Sequence, residues 1–247
     1  MATIKKVLIT RQGRKFYAKS LDEDLHTQYG FIRKEELKKA KEGSLLKSNT
    51  SREFYVFNPH FIDLYRKIRR DAQIIPLKDI GLIIAETGLN KKSRVLDVGS
   101  GSGALACFIA AIAKEVVTYE IRDDFIDIVK QNIEFLQLKN IKIKKKDIYN
   151  EIDDKGFDAV ILDVPEPWKA LESCSKALNP GGFIVSYSPS VPQVADFVNA
   201  LRKNESFVYL KTAEIVEREW EVEERRVRPK SSGIGHSGFL SFGRKVQ

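Results

Sequence analysis

The sequence predicts an α/β fold: a seven-stranded, mostly parallel sheet flanked by helices, preceded by a small β-rich domain. Three observations predict it. From about residue 94 onward, short apolar runs alternate with amphipathic segments, which is typical of a parallel sheet covered by helices on both faces. Glycines cluster directly after the first such run, in D-V-G-S-G-S-G at 97–103. Residues 3–60 instead contain short strand-like runs with turns.

The overall composition is that of a folded protein with room for one large and one small domain. The chain has 247 residues, of which 43% are hydrophobic and 31% charged. No apolar run reaches the roughly 18 residues of a membrane span, and we expect no signal peptide. With two cysteines and no Cys/His cluster, we expect a cytoplasmic protein without a structural metal site.

Positive charge is concentrated in the first third of the chain. Residues 1–75 carry 17 Lys/Arg and 9 Asp/Glu, whereas residues 76–247 carry 25 of each. The whole net charge of +8 therefore lies in residues 1–75. Either this region is a basic surface with no particular partner, or it is a polyanion-binding module attached to a neutral catalytic domain.

Two domains are expected, at residues 1–60 and 61–247, with leading helices in 61–92. In the first domain we expect a hairpin turning at Gly13 and two later strand-like runs, H-T-Q-Y-G-F-I and F-Y-V-F-N-P. A charged, weakly helical stretch separates those two runs. The leading helices are predicted at 60–70 and 79–87, because apolar residues recur there at helical spacing.

The second domain continues with a regular alternation of strands and helices. Strands are predicted at 94–98, 116–120, 141–145, 158–162, 183–187, 207–216 and 238–243, and helices at 103–113, 123–136, 168–178 and 191–202. The last two strands follow each other without a helix, so we expect them to pair antiparallel at one edge. The segment between them, 223–236, is predicted to be a loop.

The glycine-rich stretch predicts a site for a nucleotide-like ligand. Gly99, Gly101 and Gly103 lie between a buried strand and a helix, where the lack of Cβ atoms lets backbone approach a ligand closely. The spacing G-x-G-x-x-A also fits a dinucleotide. However, Asp97 precedes the glycines, and an anion at the strand end suits a cationic ligand better than a pyrophosphate.

Carboxylates end the next three strands as well. Glu120 is placed to accept from ribose hydroxyls and Asp147 from an adenine amino group, while Asp163 ends the fourth strand. Because the carboxyl ends of parallel strands line one crevice, these acids are expected to lie together. The alternative is that they only cap helices. Together they favour S-adenosyl-L-methionine, which carries a sulfonium, an ammonium, a ribose and an adenine.

Asp163 is the candidate catalytic residue. It begins D-V-P-E-P-W, in which two prolines restrict the backbone beside the expected methyl donor. Such a carboxylate suits methyl transfer to a nucleobase nitrogen. Further along, Arg225, Arg226 and Arg228 precede His236 in the predicted loop. These cations either are solvated or bind a phosphate backbone.

Five motifs resemble those of tRNA (adenine-N1)-methyltransferases, the family that modifies T-loop adenines at position 58 and, in archaea, also 57. The motifs are Q-I-I-P-L-K-D (73–79), D-V-G-S-G-S-G (97–103), L-D-V-P-E-P-W (162–168), Y-S-P-S-V-P-Q-V (187–194) and G-H-S-G-F-L (235–240). The glycine motif is common to many methyltransferases, whereas its combination with D-V-P-E-P-W and G-H-S-G-F-L is much more specific.

The resemblance implies a Rossmann-like methyltransferase domain, a small N-terminal β domain, tRNA as partner, and a homo-oligomer, usually a homotetramer, without metal or membrane. The expected cofactor contacts are Asp97, Gly99, Gly101, Ser102, Gly103, Ala104, Leu105, Glu120, Asp147, Ile148 and Asp163. The expected substrate contacts are Gln73, Tyr187, Arg225, Arg226, Arg228 and His236. The chain departs from relatives at Pro76, where an aromatic residue is common, and Tyr187 is a candidate to replace it.

The mechanism that this implies needs no strong base, because adenine N1 carries a lone pair and no proton. Asp163 is expected to accept a hydrogen bond from N6 of the flipped base and to stabilise the positive charge that develops there. Two alternatives stay open. One is a methyltransferase for a small molecule or a protein, and the other is an inactive RNA-binding subunit.

Overall fold

The computed structural model describes residues 3–150 and 153–246. By contacts the chain divides into two units. The first contains the chain up to Ile68 together with Glu134–Gln137, and the second contains Arg69–Ile133 and the chain from Leu138 onward. The division falls eight residues later than the expected boundary after residue 60. One contact of the segment after residue 60 with the first unit is the ion pair of Asp63 with Lys15, at 2.7 Å.

The first unit is a small β structure. Its elements are β1 (Lys6–Ile9), β2 (Lys15–Ala18), β3 (Leu25–Thr27), β4 (Gly30–Ile32), α1 (Lys34–Lys39), β5 (Ser44–Lys47), β6 (Glu53–Phe57) and α2 (Phe61–Tyr65). Four strands form an antiparallel sheet in the order β2-β1-β6-β5, and β3 and β4 form a separate hairpin. The core includes the buried Leu8, Ile32, Leu37 and Phe54.

The predicted hairpin around Gly13 is present as β1 and β2, and the two later strand-like runs form β3–β4 and β6. Strand β5 was not predicted, because S-L-L-K is short and two of its four residues are exposed. The first leading helix is only five residues long instead of spanning 60–70.

The second unit contains the larger sheet. Its elements are α3 (Leu77–Thr87), β7 (Arg94–Val98), α4 (Ala104–Ala110), β8 (Glu115–Glu120), α5 (Asp123–Phe135, whose last two residues count with the first unit), β9 (Ile141–Lys145), β10 (Phe157–Leu162), a 3-10 turn (Pro167–Ala170), α6 (Leu171–Ala177), β11 (Leu178–Ser188), α7 (Val191–Lys203), β12 (Phe207–Glu214), β13 (Trp220–Glu223), β14 (Arg226–Pro229) and β15 (Phe239–Lys245).

The seven-stranded sheet has the order β12-β15-β11-β10-β7-β8-β9. Pairing from β11 to β9 is parallel, and β15 is antiparallel to both of its neighbours. The predicted fold class is therefore confirmed, including the antiparallel last strand. An apolar core lies against this sheet, with Leu96, Val160, Ile184 and Phe197 fully buried. The glycine-rich segment follows β7, beside the point where the strand order reverses, which is where open α/β sheets bind ligands.

The segment predicted as the loop 223–236 differs in the structure. Two short strands, β13 and β14, form an antiparallel hairpin. Glu221 stands opposite Arg228 and Glu223 opposite Arg226, so opposite charges meet across the hairpin and favour its pairing. Charged residues dominate the sequence of this segment, so apolar and polar residues do not alternate regularly enough to predict strands in it.

Candidate cofactor and substrate site

The glycine loop after β7 is the first component of the site. Gly99, Gly101 and Gly103 have φ angles of +88°, +50° and +74°, a region that favours glycine. The amides of Gly99 and Ser100 both donate to the carbonyl oxygen of Tyr119, at 3.0 and 3.1 Å. A Cβ atom on Gly99 would lie 2.1 Å from the carbonyl oxygen of Asp163. The loop therefore packs against the end of β10 in a way that only glycine permits.

A cavity of about 340 Å³ opens beside this loop, within the range of about 300–1,000 Å³ typical of small-molecule sites. It is lined by Ala72, Gln73, Val98, Gly99, Gly101, Tyr119, Glu120, Ile121, Arg122, Phe125, Lys146, Asp147, Ile148, Tyr149, Asp163, Val164 and Pro165. Seven of these were assigned from the sequence: Gln73, Gly99, Gly101, Glu120, Asp147, Ile148 and Asp163. The residues that end four successive parallel strands of the chain thus line one cavity.

Two carboxylates in this cavity are held by backbone amides. Glu120 ends β8 and accepts from the amide of Gly101 at 3.0 Å through one oxygen. Its other oxygen accepts from the amides of Ile121 and Arg122, at 2.9 and 3.1 Å. Asp147 follows β9 and accepts from the amide of Tyr149 at 3.0 Å. These bonds fix the carboxylates while leaving lone pairs for a ligand's hydroxyl or amino groups.

Two further carboxyl groups have unusually high pKa values. Burial raises the pKa of Asp97 to about 7, and the nearby Asp163 and Glu120 add to the rise, while the hydrogen bond from Thr118 opposes it. Burial raises the pKa of Asp163 to about 7 as well. A cation beside these groups would favour their ionised form. The site is therefore better suited to a positively charged ligand than to an anion.

A second, smaller cavity is lined by most of the predicted cofactor contacts that do not line the first. Asp97, Ser102, Ala104 and Leu105 line it together with Asp163 and other residues. The hydroxyl of Ser102 accepts from the amides of Asp71 and Ala72, at 3.0 and 3.3 Å, so it holds the segment before α3. Gly103 lines neither cavity, and a Cβ there would lie 3.0 Å from the methyl groups of Val129.

Tyr187 near the end of β11 belongs to a buried polar network. Its hydroxyl donates to the carbonyl oxygen of Ser237 at 2.6 Å, and burial raises the pKa of this phenol to about 12. Lys78 pairs with both oxygens of Asp79 at 2.8 and 2.9 Å, and it also donates to the Ser237 hydroxyl at 2.6 Å. A Cβ on Gly238 would lie 2.4 Å from the Tyr187 ring. The network ties the G-H-S-G segment to α3 and to Tyr187.

Replacing Lys78 by Met should destabilise the protein strongly, because it leaves the buried Asp79 without its cation. We expect the free energy of unfolding to fall by about 3–5 kcal/mol, measured by urea denaturation. The control is Lys130→Met, whose pair with Asp127 at 3.6 Å is exposed and should contribute under about 1 kcal/mol. Equal losses in the two variants would contradict a structural role for the Lys78–Asp79 pair.

The remaining predicted substrate residues lie outside these two cavities. Arg226 and Arg228 lie on β14, where both contact Glu221, and Arg225 is exposed at the hairpin turn. His236 has acceptors at both ring nitrogens, Glu214 at 2.6 Å and the carbonyl oxygen of Pro189 at 2.9 Å. These bonds raise the pKa of His236, and the contact with Glu214 raises it most.

The charges of Arg226 and Arg228 are partly neutralised by Glu221 of the same hairpin.

Several cavity residues were not predicted from the sequence. Ile121 follows Glu120 directly and is 59% exposed, which is unusual for an isoleucine. Phe125, Tyr149 and Val164 also line the cavity. A ligand-facing role for Ile121 could have been found from its position after the strand-end acid, whereas Phe125 is indistinguishable in sequence from an ordinary residue of an amphipathic helix.

Within residues 3–150 and 153–246, no group of three or more His, Cys, Asp or Glu side chains is arranged to hold a metal ion. No helix in this part of the chain is long and apolar enough to cross a bilayer.

The fold and the cavity define the class of protein. The cavity wall combines carboxylates with apolar side chains, which fits a ligand with two positive charges, a ribose and an adenine. The chain has the fold of an S-adenosylmethionine-dependent methyltransferase, and solved structures of such enzymes resemble it over its full length.

The family follows from the sequence. The family model described as "tRNA methyltransferase complex GCD14 subunit" matches residues 62–238, and the chain belongs to this family. A relative from Methanocaldococcus jannaschii, named tRNA (adenine(57)-N(1)/adenine(58)-N(1))-methyltransferase TrmI, is 34% identical over 97% of this chain and 94% of its own. The TrmI of Thermus thermophilus, named for adenine 58, is 31% identical over 87% of this chain and 86% of its own.

Two solved structures are similar over nearly the whole chain. The tRNA (m1A58) methyltransferase TrmI from Aquifex aeolicus has a TM-score of 0.84 and 29% identity, covering 98% of this chain and 97% of its own. A structure described as a SAM-dependent O-methyltransferase from Thermotoga maritima has a TM-score of 0.89 and 27% identity, covering 100% and 94%. Both likenesses extend over the first unit as well as the methyltransferase domain.

The raised pKa values predict that cofactor binding depends on pH. Protonated Asp97 and Asp163 offer no negative charge, so the affinity for S-adenosylmethionine should rise as pH increases from about 6 to about 8. The measurement is calorimetric titration at both pH values. S-adenosylhomocysteine, which lacks the positive sulfur, should show a smaller dependence. The same pH dependence for both ligands would place the acids at the ammonium group, which both ligands carry, and no pH dependence for either would contradict their assignment to the cationic part of the cofactor.

Proposed function

We propose that this protein is an S-adenosylmethionine-dependent tRNA (adenine-N1)-methyltransferase acting on the T-loop, at position 58. The observation that carries the proposal is the lining of one cavity by Glu120, Asp147 and Asp163, in a chain of the family described above. The names of its archaeal and bacterial relatives support position 58, and position 57 appears in the name of the archaeal one.

The cofactor is assigned to the cavity beside the glycine loop. When bound, S-adenosylmethionine supplies an electrophilic methyl group. Glu120 would bind the ribose hydroxyls and Asp147 the adenine amino group, because both carboxylates retain free lone pairs in fixed positions. Ile121 and Ile148 supply apolar surface for the adenine ring. The buried acids Asp97 and Asp163 would lie toward the charged end of the ligand.

Asp163 is assigned the substrate adenine. Its backbone amide donates to the carbonyl oxygen of Val98 at 2.9 Å, and Pro165 and Pro167 restrict the chain that follows. With its backbone restrained in this way, the Asp163 carboxylate can accept a hydrogen bond from N6–H of an extruded base and align N1 for attack. Methylation makes the purine positive, so the same carboxylate stabilises the product side of the reaction. Tyr187, whose pKa is raised by burial, stays protonated, and because its hydroxyl donates to the carbonyl oxygen of Ser237 it would offer the substrate a neutral aromatic surface.

The tRNA is assigned mainly to the basic first unit. Most of the excess charge lies there, because the chain up to Ile68 carries 15 Lys/Arg and 8 Asp/Glu, and phosphate binding requires uncompensated cations. The hairpin arginines are weaker candidates than their sequence indicated, because Arg226 and Arg228 contact Glu221. Of that group, Arg225 remains the best placed for a phosphate, since it is exposed at the turn.

A second candidate is methyl transfer to a small molecule or a protein, because one similar structure is described as a SAM-dependent O-methyltransferase rather than as an enzyme of tRNA. One assay separates the two candidates. The protein is incubated with labelled S-adenosylmethionine and unmodified tRNA, and the tRNA is digested to nucleosides. Label in 1-methyladenosine is the result expected. Transfer to no nucleoside would overturn the proposal, and it would also be the result for an inactive RNA-binding subunit.

The chain is further proposed to form a homo-oligomer, as a tetramer, through the β13–β14 hairpin. Trp220 stands opposite Pro229 and Val222 opposite Val227, so these apolar side chains share one face of the hairpin. Trp220, Val222 and Val227 are 53%, 68% and 55% exposed. A contiguous exposed apolar face of this kind is typical of a protein–protein contact.

Placing charge on that face should break the oligomer. We expect Val222→Glu combined with Val227→Glu to lower the mass measured by light scattering from about four chains to fewer, because burying two carboxylates at an interface is costly. The matched control is Glu223→Gln on the opposite face, which should leave the mass unchanged. A tetramer in the double variant would show that the hairpin is not the interface.

A further inference from the structure

The first unit contains a cavity that the methyltransferase site does not use. Its volume is about 550 Å³, and it is lined by Ile4, Lys15, Phe16, Tyr17, Lys19, Lys67 and Phe135. Every one of these residues belongs to the first unit. The cavity therefore requires an explanation separate from that of the cofactor site.

Strand β2 supplies a regular pattern to this cavity. Lys15 and Tyr17 occupy alternate positions of β2, so their side chains point to the same face, and Lys19 follows the strand by one residue. Phe16, between them, contacts the ring of Phe54 in the core of the unit. Because β2 is an edge strand of its sheet, this lysine–aromatic–lysine row lies at the border of the unit rather than between two strands.

The cations around the cavity are only partly compensated. Lys15 pairs with Asp63 at 2.7 Å. Lys19 and Lys67 have no ion pair within the described residues of the chain, and the ammonium of Lys67 lies 4.3 Å from the centre of the Tyr17 ring. Two lysines without ion pairs therefore line the cavity, one of them against the Tyr17 ring, which favours an anionic ligand at this position.

The rest of the cavity wall is apolar. Ile4 and Phe135 are only 4% and 5% exposed, so a ligand that fills the cavity must place a flat or apolar group against them. Lysines beside an aromatic ring are the arrangement with which proteins hold single-stranded nucleic acid, the phosphates on the cations and the base on the ring. A nucleotide uses both the ammonium groups and the aromatic ring, whereas a simple anion would not use the apolar wall.

We propose that this cavity binds one unpaired nucleotide of the tRNA, with its base against Tyr17 and the adjoining phosphates on Lys19 and Lys67. This inference rests on the proposed function, because it takes tRNA as the substrate. Lys67 exchanges its contact with the ring for a phosphate as the base enters, and Lys15 stays with Asp63. The residues of this cavity are different from those assigned to methyl transfer. The cavity contributes to the affinity for tRNA and takes no part in the chemical step.

The first test reverses the two unpaired charges. Lys19→Glu combined with Lys67→Glu is compared with Lys34→Glu combined with Lys41→Glu, which makes the same charge change at exposed positions of the first unit outside the cavity. Filter binding of unmodified tRNA over a salt series gives both affinity and salt dependence. We expect the cavity variant to bind about tenfold more weakly than the control, with a salt slope lower by about 1.5. Equal losses in the two variants would overturn the site.

The second test addresses the base. Tyr17→Leu removes the ring, and Tyr17→Phe keeps it. We expect Tyr17→Leu to lower tRNA affinity about fivefold or more, and Tyr17→Phe to have little effect. Polyglutamate serves as an anion without bases, and its binding should be the same for both variants. Parallel losses for tRNA and polyglutamate would show a general anion surface and overturn the nucleotide assignment.

These outcomes are distinguishable from a failure of the proposed function. If the wild-type protein makes no 1-methyladenosine but the cavity variants still weaken tRNA binding, the methylation proposal fails and the nucleotide site stands. If the wild type methylates tRNA and the cavity variants bind it as the controls do, only the nucleotide site fails. Thermal unfolding of each variant checks that the first unit is folded.

Discussion

Replacing Asp163 by Ala is expected to lower kcat for tRNA methylation by about 10²–10³-fold, because the positive charge that develops on the adenine then lacks its carboxylate. S-adenosylmethionine and tRNA should still bind, at least in part. Asp163→Asn should fall between Ala and wild type, since an amide oxygen can still accept from N6–H but cannot neutralise charge. Single-turnover rates with saturating tRNA give the comparison.

Stability provides a readout that separates this role from a structural one. The buried Asp163 carboxyl has a pKa of about 7, so ionising it above that pH costs the folded protein free energy. At pH 8 Asp163→Asn should therefore unfold at the same temperature as wild type or higher. The control Glu166→Gln changes a nearby carboxylate that pairs with Lys169 at 2.8 Å and should leave kcat unchanged. Near-normal turnover in Asp163→Ala would contradict the assignment of Asp163 as the catalytic residue.

Replacing Gly99 by Ala is the second change with a large expected effect. The added Cβ would lie 2.1 Å from the carbonyl oxygen of Asp163, so the loop or the end of β10 must move. We expect a loss of stability of about 2–4 kcal/mol, from overpacking and from an alanine held at positive φ. Because the same loop lines the cavity, the affinity for S-adenosylmethionine should fall by roughly 100-fold. Denaturant unfolding and calorimetric titration measure the two effects.

Gly88→Ala is the matched control. Gly88 also has positive φ, +65°, but a Cβ there meets nothing within 4 Å. It should therefore lose only the conformational contribution, about 1 kcal/mol, and retain cofactor affinity. Equal losses of stability and of cofactor affinity in Gly99→Ala and Gly88→Ala would contradict the prediction that the close approach of Gly99 to Asp163 makes Gly99→Ala more harmful.

The glycine loop and the strand-end acids could be predicted from the sequence because their causes are local. A run of buried residues ends at Val98, and glycines that tolerate the required φ angles follow. An acid then stands at or just after the end of each of the next three strands, β8, β9 and β10. The parallel sheet then brings Glu120, Asp147 and Asp163 together without any further information.

Non-local pairs could not be predicted in the same way. The contact of Lys78 with Ser237 joins residues 159 positions apart, and nothing near either residue indicates the other. The β13–β14 hairpin includes charged pairs such as Glu221 with Arg228, whereas the sequence alone predicted a loop whose cations either are solvated or bind a phosphate backbone. The cavity at Tyr17 combines β2 with Phe135, which is 118 positions away in the chain.

The central claim is methylation of adenine N1 at tRNA position 58, and mapping the product on the tRNA tests it most directly. A methyl group on N1 blocks the Watson–Crick edge, so reverse transcription of an unmodified tRNA treated with the protein and S-adenosylmethionine should stop at position 58. The stop should disappear when Asp163→Ala replaces the wild type and when the transcript carries guanine at 58. Full-length transcription after treatment with wild-type protein, or stops confined to other positions, would contradict the account.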